Sequence, residues 1–77
     1  MKIQIFGTGC RKCQKLAEAT EAAAQELQLD YEIEKVTELS QIMAMGVIIT
    51  PALAVDGSIK SSGKIPSADE LKNFLSE

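Results

Sequence analysis

The first 36 residues constrain the fold most strongly, because they read as strand, helix and strand. Polar and apolar residues alternate from Lys2 to Phe6, which is the period of a β-strand with one buried face. From about Cys10 to Leu29 the chain is rich in Ala, Glu, Gln, Lys and Leu, which favour a helix. Alternation returns from Tyr31 to Val36. Two strands joined by a helix predict a right-handed crossover between parallel strands.

A shorter helix is predicted next. Thr37 suits the N-cap of a helix from Glu38 to Met45, and Gly46 suits its C-terminal cap. Three apolar residues of this helix are expected to face inward: Leu39, Ile42 and Met43.

The remaining residues predict a hairpin and a final helix. Asp56-Gly57 is a strong two-residue turn signal between strands over Ala52–Val55 and 58–61. Ser67 and Glu70 have the spacing of a capping box, which would open the last helix. The order βαβαββα predicts an α/β fold with a small mixed sheet and helices on both faces. We expect residues 1–77 to form one domain.

Composition excludes several classes of partner. The net charge of −3 opposes nucleic-acid binding, which needs a basic face. No apolar run approaches the length of a membrane span. The N-terminus reads as a strand rather than a signal peptide, so we expect a cytoplasmic protein. The chain has no histidine, which removes Ser-His and Cys-His nucleophilic sites within it.

Both cysteines, Cys10 and Cys13, fall in the predicted first turn of the long helix. Residues three apart share a helical face, so the two sulfur atoms can approach each other. The positive end of the helix dipole and the cations Arg11 and Lys12 are conditions that lower the pKa of a cysteine. We therefore predict a redox pair in which Cys10 attacks a disulfide and Cys13 resolves the mixed disulfide.

Other interpretations of the two thiols stay open at this point. Both could be ordinary buried residues, since unpaired cysteine is often buried. A zinc site needs about four ligands, so a metal role here would require a dimer or a two-coordinate soft ion such as Cu(I).

Pro51 stands at the entrance to an apolar strand, where proline is normally tolerated. Combined with the cysteines, it gives the chain a recognisable pattern. The sequence resembles the small redox-active disulfide proteins of the thioredoxin/glutaredoxin-like family over nearly all of its length. The resemblance rests on four segments: Gly9 to Cys13, Gly46 to Leu53, Val55 to Gly57, and Pro66-Ser67.

The resemblance implies a minimal thioredoxin fold with strand order 4-3-1-2 and an antiparallel third strand. It implies a cis bond between Thr50 and Pro51, facing the cysteines. It also implies that Thr50 offers its backbone to an extended substrate. We assign substrate contact to Thr50 and Pro51, together with Gly9 and Ile49. The acidic residue usual in thioredoxins six positions before the first cysteine is Gln4 here, which cannot serve as a buried proton relay.

The function predicted from these features is that of a thiol–disulfide oxidoreductase. Its partners would be a disulfide-containing protein and an upstream reductant or reductase, and no cofactor beyond the Cys10–Cys13 disulfide is expected. We expect a monomer that binds neither nucleic acid nor membrane. The alternatives are a copper-type soft-metal carrier using the same cysteines, and a non-catalytic interaction module. The docking patch of such a module would comprise Ile48, Ile49, Ala52 and Met45.

Overall fold

The computed structural model describes residues 1–9 and 11–76, which leaves Cys10 and Glu77 outside the description. Its elements follow in chain order: β1 (Lys2–Phe6), α1 (Arg11–Glu26), β2 (Glu32–Val36), α2 (Leu39–Ala44), β3 (Ala52–Val55), β4 (Ser58–Ser62) and α3 (Ala68–Ser76). The predicted βαβαββα order is confirmed. None of the helices in the described part of the chain has the length and apolar character needed to cross a membrane.

The four strands form one mixed sheet in the order β2-β1-β3-β4. β1 and β2 are parallel, whereas β3 is antiparallel to both β1 and β4. The predicted order 4-3-1-2 with an antiparallel third strand is therefore confirmed. Because β1 and β3 run in opposite directions, the end of β1 meets the start of β3, and Phe6 lies opposite Ala52.

The two faces of the sheet carry separate clusters of buried side chains. We call the first the α1–α3 face, where ten buried residues pack together: Ile3, Ile5, Leu16, Ala17, Ala23, Ala24, Leu53, Val55, Leu71 and Leu75. The second is the α2 face, whose smaller cluster comprises Phe6, Val36, Ile42, Val47, Ala52 and Ala54. Alternation along β1 and β3 explains this division, since successive side chains point to opposite faces.

Helix α1 ends three residues earlier than the predicted Leu29. Gln28 adopts a left-handed conformation with φ of 56°. The Leu29 N–H donates to the Ala24 carbonyl at 3.0 Å, and the Gln28 N–H donates to the Gln25 carbonyl at 3.0 Å. This is the Schellman pattern of bonds that closes a helix, here with glutamine where glycine is usual.

The prediction for α2 was wrong in two respects. Glu38, rather than Thr37, occupies the N-cap, and it makes no side-chain capping bond. Of the three residues expected to face inward, only Ile42 is buried, while Leu39 and Met43 are 62% and 65% exposed. A helix of fewer than two turns presents only a narrow stripe to the sheet, and Ile42 fills it. The predicted C-terminal cap is confirmed, because Gly46 has φ of 80° and its N–H donates to the Met43 carbonyl at 2.9 Å.

The hairpin and the capping box form as predicted. Asp56 and Gly57 both have positive φ, of 50° and 85°, as a tight hairpin turn requires. Asp56 also ties the turn to β1, since its Oδ1 accepts a hydrogen bond from the Lys2 N–H at 2.8 Å. At α3 the Ser67 N–H donates to Glu70 Oε1 at 3.1 Å, and the Glu70 N–H donates to Ser67 Oγ at 3.2 Å.

Candidate active site around Cys13

Cys13 is the third residue of α1 and is 6% exposed. Its sulfur lies against Gly7, directly after β1. A Cβ atom added to Gly7 would overlap Cys13 Sγ and would lie 3.1 Å from Cys13 Cβ. Gly7 is also held to β2, because its N–H donates to the Val36 carbonyl at 3.0 Å. Glycine at this position therefore lets the backbone approach the thiol more closely than any other residue would allow.

The other predicted thiol, Cys10, lies outside the described residues, so its role as the attacking group stays a prediction. Its neighbours Gly9, Arg11 and Lys12 are all exposed. Gly9 has φ of 88°, which a residue with a side chain rarely adopts. The two cations occupy the first turn of α1, where the backbone N–H groups have no intrahelical partner. Their influence on the thiols, and the substrate contact assigned to Gly9, stay predictions as well.

The peptide bond between Thr50 and Pro51 is cis. Pro51 is buried and Thr50 is exposed. The preceding residues Ile48 and Ile49 are 93% and 61% exposed. Because Phe6 pairs with Ala52, Pro51 and Gly7 emerge at the same end of neighbouring strands. The fold therefore brings the Thr50–Pro51 segment and the loop before α1 to one edge of the sheet.

Two residues at the end of β4 hold this segment in place. Ser62 Oγ donates a hydrogen bond to the Ile49 carbonyl at 2.7 Å. The Gly63 N–H donates to the Pro51 carbonyl at 2.8 Å. A Cβ atom on Gly63 would lie 2.7 Å from Ile49 Cγ2. Ser62 and Gly63 were not predicted to belong to the site, because these contacts join residues that only the hairpin brings together.

A small pocket of about 40 Å³ lies beside Cys13. Its walls come from β1, the loop before α1, α1 itself and the end of β2: Ile5, Gly7, Gly9, Cys13, Gln14, Lys35 and Thr37. Lys35 and Thr37 were not predicted to belong to the site. Lys35 pairs with Ile5 in the parallel register, so the two side chains project on the same face as α1.

The described residues do not assemble a larger cluster of metal ligands. Among residues 1–9 and 11–76, no group of three or more His, Cys, Asp or Glu side chains lies close enough to hold a metal ion.

Gln4 turns away from Cys13, toward the α2 face, where its Nε2 donates to Glu34 Oε1 at 2.8 Å. The residue that replaces the usual acid therefore has a structural partner of its own.

Comparisons with known proteins show the family to which the chain belongs. A protein-family model described as a thioredoxin domain matches residues 1–76. A thioredoxin from Methanothermobacter thermautotrophicus is 47% identical over 76 residues, which cover 99% of both chains. A thioredoxin from Methanocaldococcus jannaschii is 48% identical over 73 residues, which cover 95% of this chain and 84% of that protein.

Proposed function

This chain belongs to the thioredoxin family, and we propose that it reduces disulfides with Cys10 and Cys13 as its redox pair. The Cys10 thiolate attacks one sulfur of the substrate disulfide, and the other substrate sulfur leaves as a thiolate. Cys13 then attacks Cys10 in the mixed disulfide and releases the second substrate thiol. The substrate gains two electrons, and the protein is left with a Cys10–Cys13 disulfide.

The position of Cys13 is the observation that carries this proposal. Its thiol is buried in the first turn of α1, against Gly7, and beside the cations Arg11 and Lys12. Helix N-termini and neighbouring cations are the surroundings that activate cysteines. A buried second thiol also suits a resolving role, because it is shielded from solvent reagents while it waits for an intramolecular partner.

The Thr50–Pro51 segment suits the recognition of an extended polypeptide. Thr50 is exposed at the same edge of the sheet as the loop before α1. Hydrogen bonds from Ser62 and Gly63 hold the segment in place. An extended substrate would pair with the Thr50 backbone and contact Gly9, Ile49 and Pro51. The exposed side chains of Ile48 and Ile49 would then be covered by an apolar part of the substrate.

The electron balance requires a second partner. The oxidised protein must be reduced again by a thiol or a reductase before another turnover, and no cofactor beyond the two cysteines enters this cycle. In the cytoplasm, where thiols are mostly kept reduced, the protein would act mainly as a reductant.

Serine variants of the two cysteines test the proposal. We expect Cys10→Ser to abolish reduction of a protein disulfide, because no thiolate is left to attack. We expect Cys13→Ser to accumulate the mixed disulfide, measured by mass spectrometry after acid quenching. Ala22→Ser, at an exposed position of α1, is the matched control and should retain full activity. Undiminished activity of Cys10→Ser would contradict the assignment.

The alternative function is that of a copper-type metal carrier, and the same protein preparation can test it. Small copper carriers resemble this chain in placing two cysteines between a strand and a helix, but their order is βαββαβ. Here α2 stands between β2 and β3, which does not match that order. A stoichiometric Cu(I) complex of the monomer, together with failure to form an intramolecular disulfide, would overturn the redox proposal.

A further inference from the structure

A group of exposed cations lies at the start of α1, next to the cysteines. Arg11, Lys12 and Lys15 all have exposed side chains. Residues three or four apart on a helix are neighbours, so Lys15 lies beside both Arg11 and Lys12 on the helix surface. We call these three residues the cationic patch.

The ion pairs of the described structure leave the cationic patch out. Among residues 1–9 and 11–76, Lys2, Lys64 and Lys72 each pair with a glutamate, at 3.9, 3.5 and 2.8 Å. No member of the patch takes part in these pairs. Its positive charges are therefore available to groups of another molecule.

The order of charges along α1 opposes the stability of that helix. Cations at a helix N-terminus meet the positive end of the helix dipole, and like charges four residues apart repel each other. The carboxylates of α1 come only after its first turn, at Glu18, Glu21 and Glu26. Helix α3 has the favourable order, with Asp69 and Glu70 in its first turn. Local rules broken without a structural gain are typical of functional sites.

Activation of the cysteines accounts for only part of the cationic patch. Arg11 and Lys12 stand between the two cysteines in the sequence. Lys15 stands two residues beyond Cys13, and residues two apart on a helix do not face each other. The exposed Lys15 side chain therefore lies on a different side of α1 from the buried sulfur. Its charge suits a ligand outside the protein better than it suits the thiol.

The cationic patch adjoins the edge of the sheet where we expect the substrate. Arg11 follows Cys10 directly in the sequence, and the loop before α1 shares this edge with the Thr50–Pro51 segment. A polypeptide whose disulfide reaches Cys10 therefore brings its neighbouring residues close to the patch. The whole chain has a net charge of −3 even with these three cations, so the rest of it is more acidic still. An acidic partner is attracted at the patch and repelled elsewhere.

We propose that the cationic patch binds carboxylate side chains of the substrate protein, so that the preferred substrate carries an acidic segment beside its disulfide. This preference rests on the proposed redox function and leaves the electron transfer itself unchanged. Opposite charges raise the rate at which two proteins meet and fix the orientation in which they dock. The cationic patch thus selects among disulfides before any thiol reacts.

Two matched peptide substrates test the preference. Each consists of two short chains joined by one disulfide, with a fluorophore on one chain and a quencher on the other. The residues beside one cysteine are glutamates in the first substrate and glutamines in the second. The reduced protein is mixed with each substrate, and the rise in fluorescence gives the rate constant of reduction. The quantity compared between proteins is the ratio of the glutamate rate constant to the glutamine rate constant.

Removal of the whole patch should have the largest effect. In the triple variant Arg11→Gln, Lys12→Gln, Lys15→Gln, we expect this ratio to fall about tenfold at about 0.01 M salt, the lower end of electrostatic steering. The difference from the unaltered protein should vanish at about 1 M salt, where exposed charges are screened. A change in the reactivity of Cys10 cancels in the ratio, because both substrates react with the same thiol.

Three single variants locate the effect. Lys15→Gln should lower the ratio about twofold, because one of three attracting charges is lost. Lys15→Arg keeps the charge and should keep the ratio. Lys2→Gln removes the same charge at the opposite end of β1 and should leave the ratio unchanged. Circular dichroism checks that every variant is folded.

The results separate the substrate preference from the redox function. Equal ratios in the triple variant and the unaltered protein at low salt would refute the role of the cationic patch while leaving the redox function intact. An equal fall in Lys2→Gln and Lys15→Gln would refute it too, since net charge alone would then be responsible. If the unaltered protein reduces neither substrate and forms no intramolecular disulfide, the proposed function fails, and the preference fails with it.

Discussion

The two faces of the sheet are built differently. The α1–α3 face is covered by two helices, and Leu16, Leu53 and Leu71 are completely buried there. The α2 face is covered by one helix of six residues, of which only Ile42 is buried. Beside it, Leu39, Met43 and Ile48 remain more than half exposed. The comparison indicates that the α1–α3 face supplies most of the stability, while the α2 face leaves apolar surface free next to Thr50.

The sharpest test of this comparison pairs one leucine from each face. Leu71→Ala in α3 should lower the free energy of unfolding by about 2–5 kcal/mol, because it leaves a cavity in a closed core. Leu39→Ala in α2 should change it by less than about 0.5 kcal/mol, because that side chain is 62% exposed. Urea denaturation at equilibrium measures both. Similar losses from the two variants would show that the α2 face contributes more than its burial indicates.

The second test concerns the close contact between Gly7 and Cys13, where α1 packs against the end of β1. Gly7→Ala forces a methyl group onto Cys13 Sγ and should cost about 1–3 kcal/mol, as overpacking does. In a Cys13→Ala background the sulfur is gone, and the same substitution should cost clearly less. Thermal unfolding of the four proteins completes this cycle. Equal costs in both backgrounds would mean that the strain arises elsewhere.

The smallest expected changes in stability come from the N-caps of α2 and α3. Ser67→Ala removes the side-chain cap of α3 and should cost about 1 kcal/mol. Glu38→Ala at the N-cap of α2 removes no side-chain bond and should change stability by less than about 0.5 kcal/mol. Urea denaturation of the two variants tests the difference, and a larger loss from Glu38→Ala would reverse it.

The cap of α3 also predicts a pH dependence. The Ser67 N–H, and then the Lys64 ammonium group, hold the pKa of Glu70 below its ordinary 4.5. A lowered pKa in the folded state stabilises the protein above the unfolded value, and this contribution is lost as pH falls through the folded value. Glu70→Gln should therefore lower the unfolding midpoint below that of the unaltered protein near neutral pH. The gap between the two midpoints should close as pH falls below 4.5. A gap that stays constant with pH would mean that the charge of Glu70 does not stabilise the fold.

The success of sequence analysis differed between the elements for physical reasons. The hairpin at Asp56-Gly57 and the capping box at Ser67 and Glu70 were predicted because each is formed by neighbouring residues. The end of α1 was placed too late, because Gln28 gives no local signal of the left-handed conformation that closes the helix. In α2 the periodicity of Leu39, Ile42 and Met43 predicted a buried face, but the short helix leaves room for Ile42 alone.

The sequence by itself determined the order of the elements and the positions of Cys13, Thr50 and Pro51, because strand alternation, helix propensity and turn chemistry are local properties. Only the tertiary structure decided what surrounds the thiol. The parallel register of β1 and β2 places Lys35 opposite Ile5, on the face covered by α1. The return of β4 places Ser62 and Gly63 against the Thr50–Pro51 segment. These contacts join residues far apart in the chain, and strand pairing brings them together.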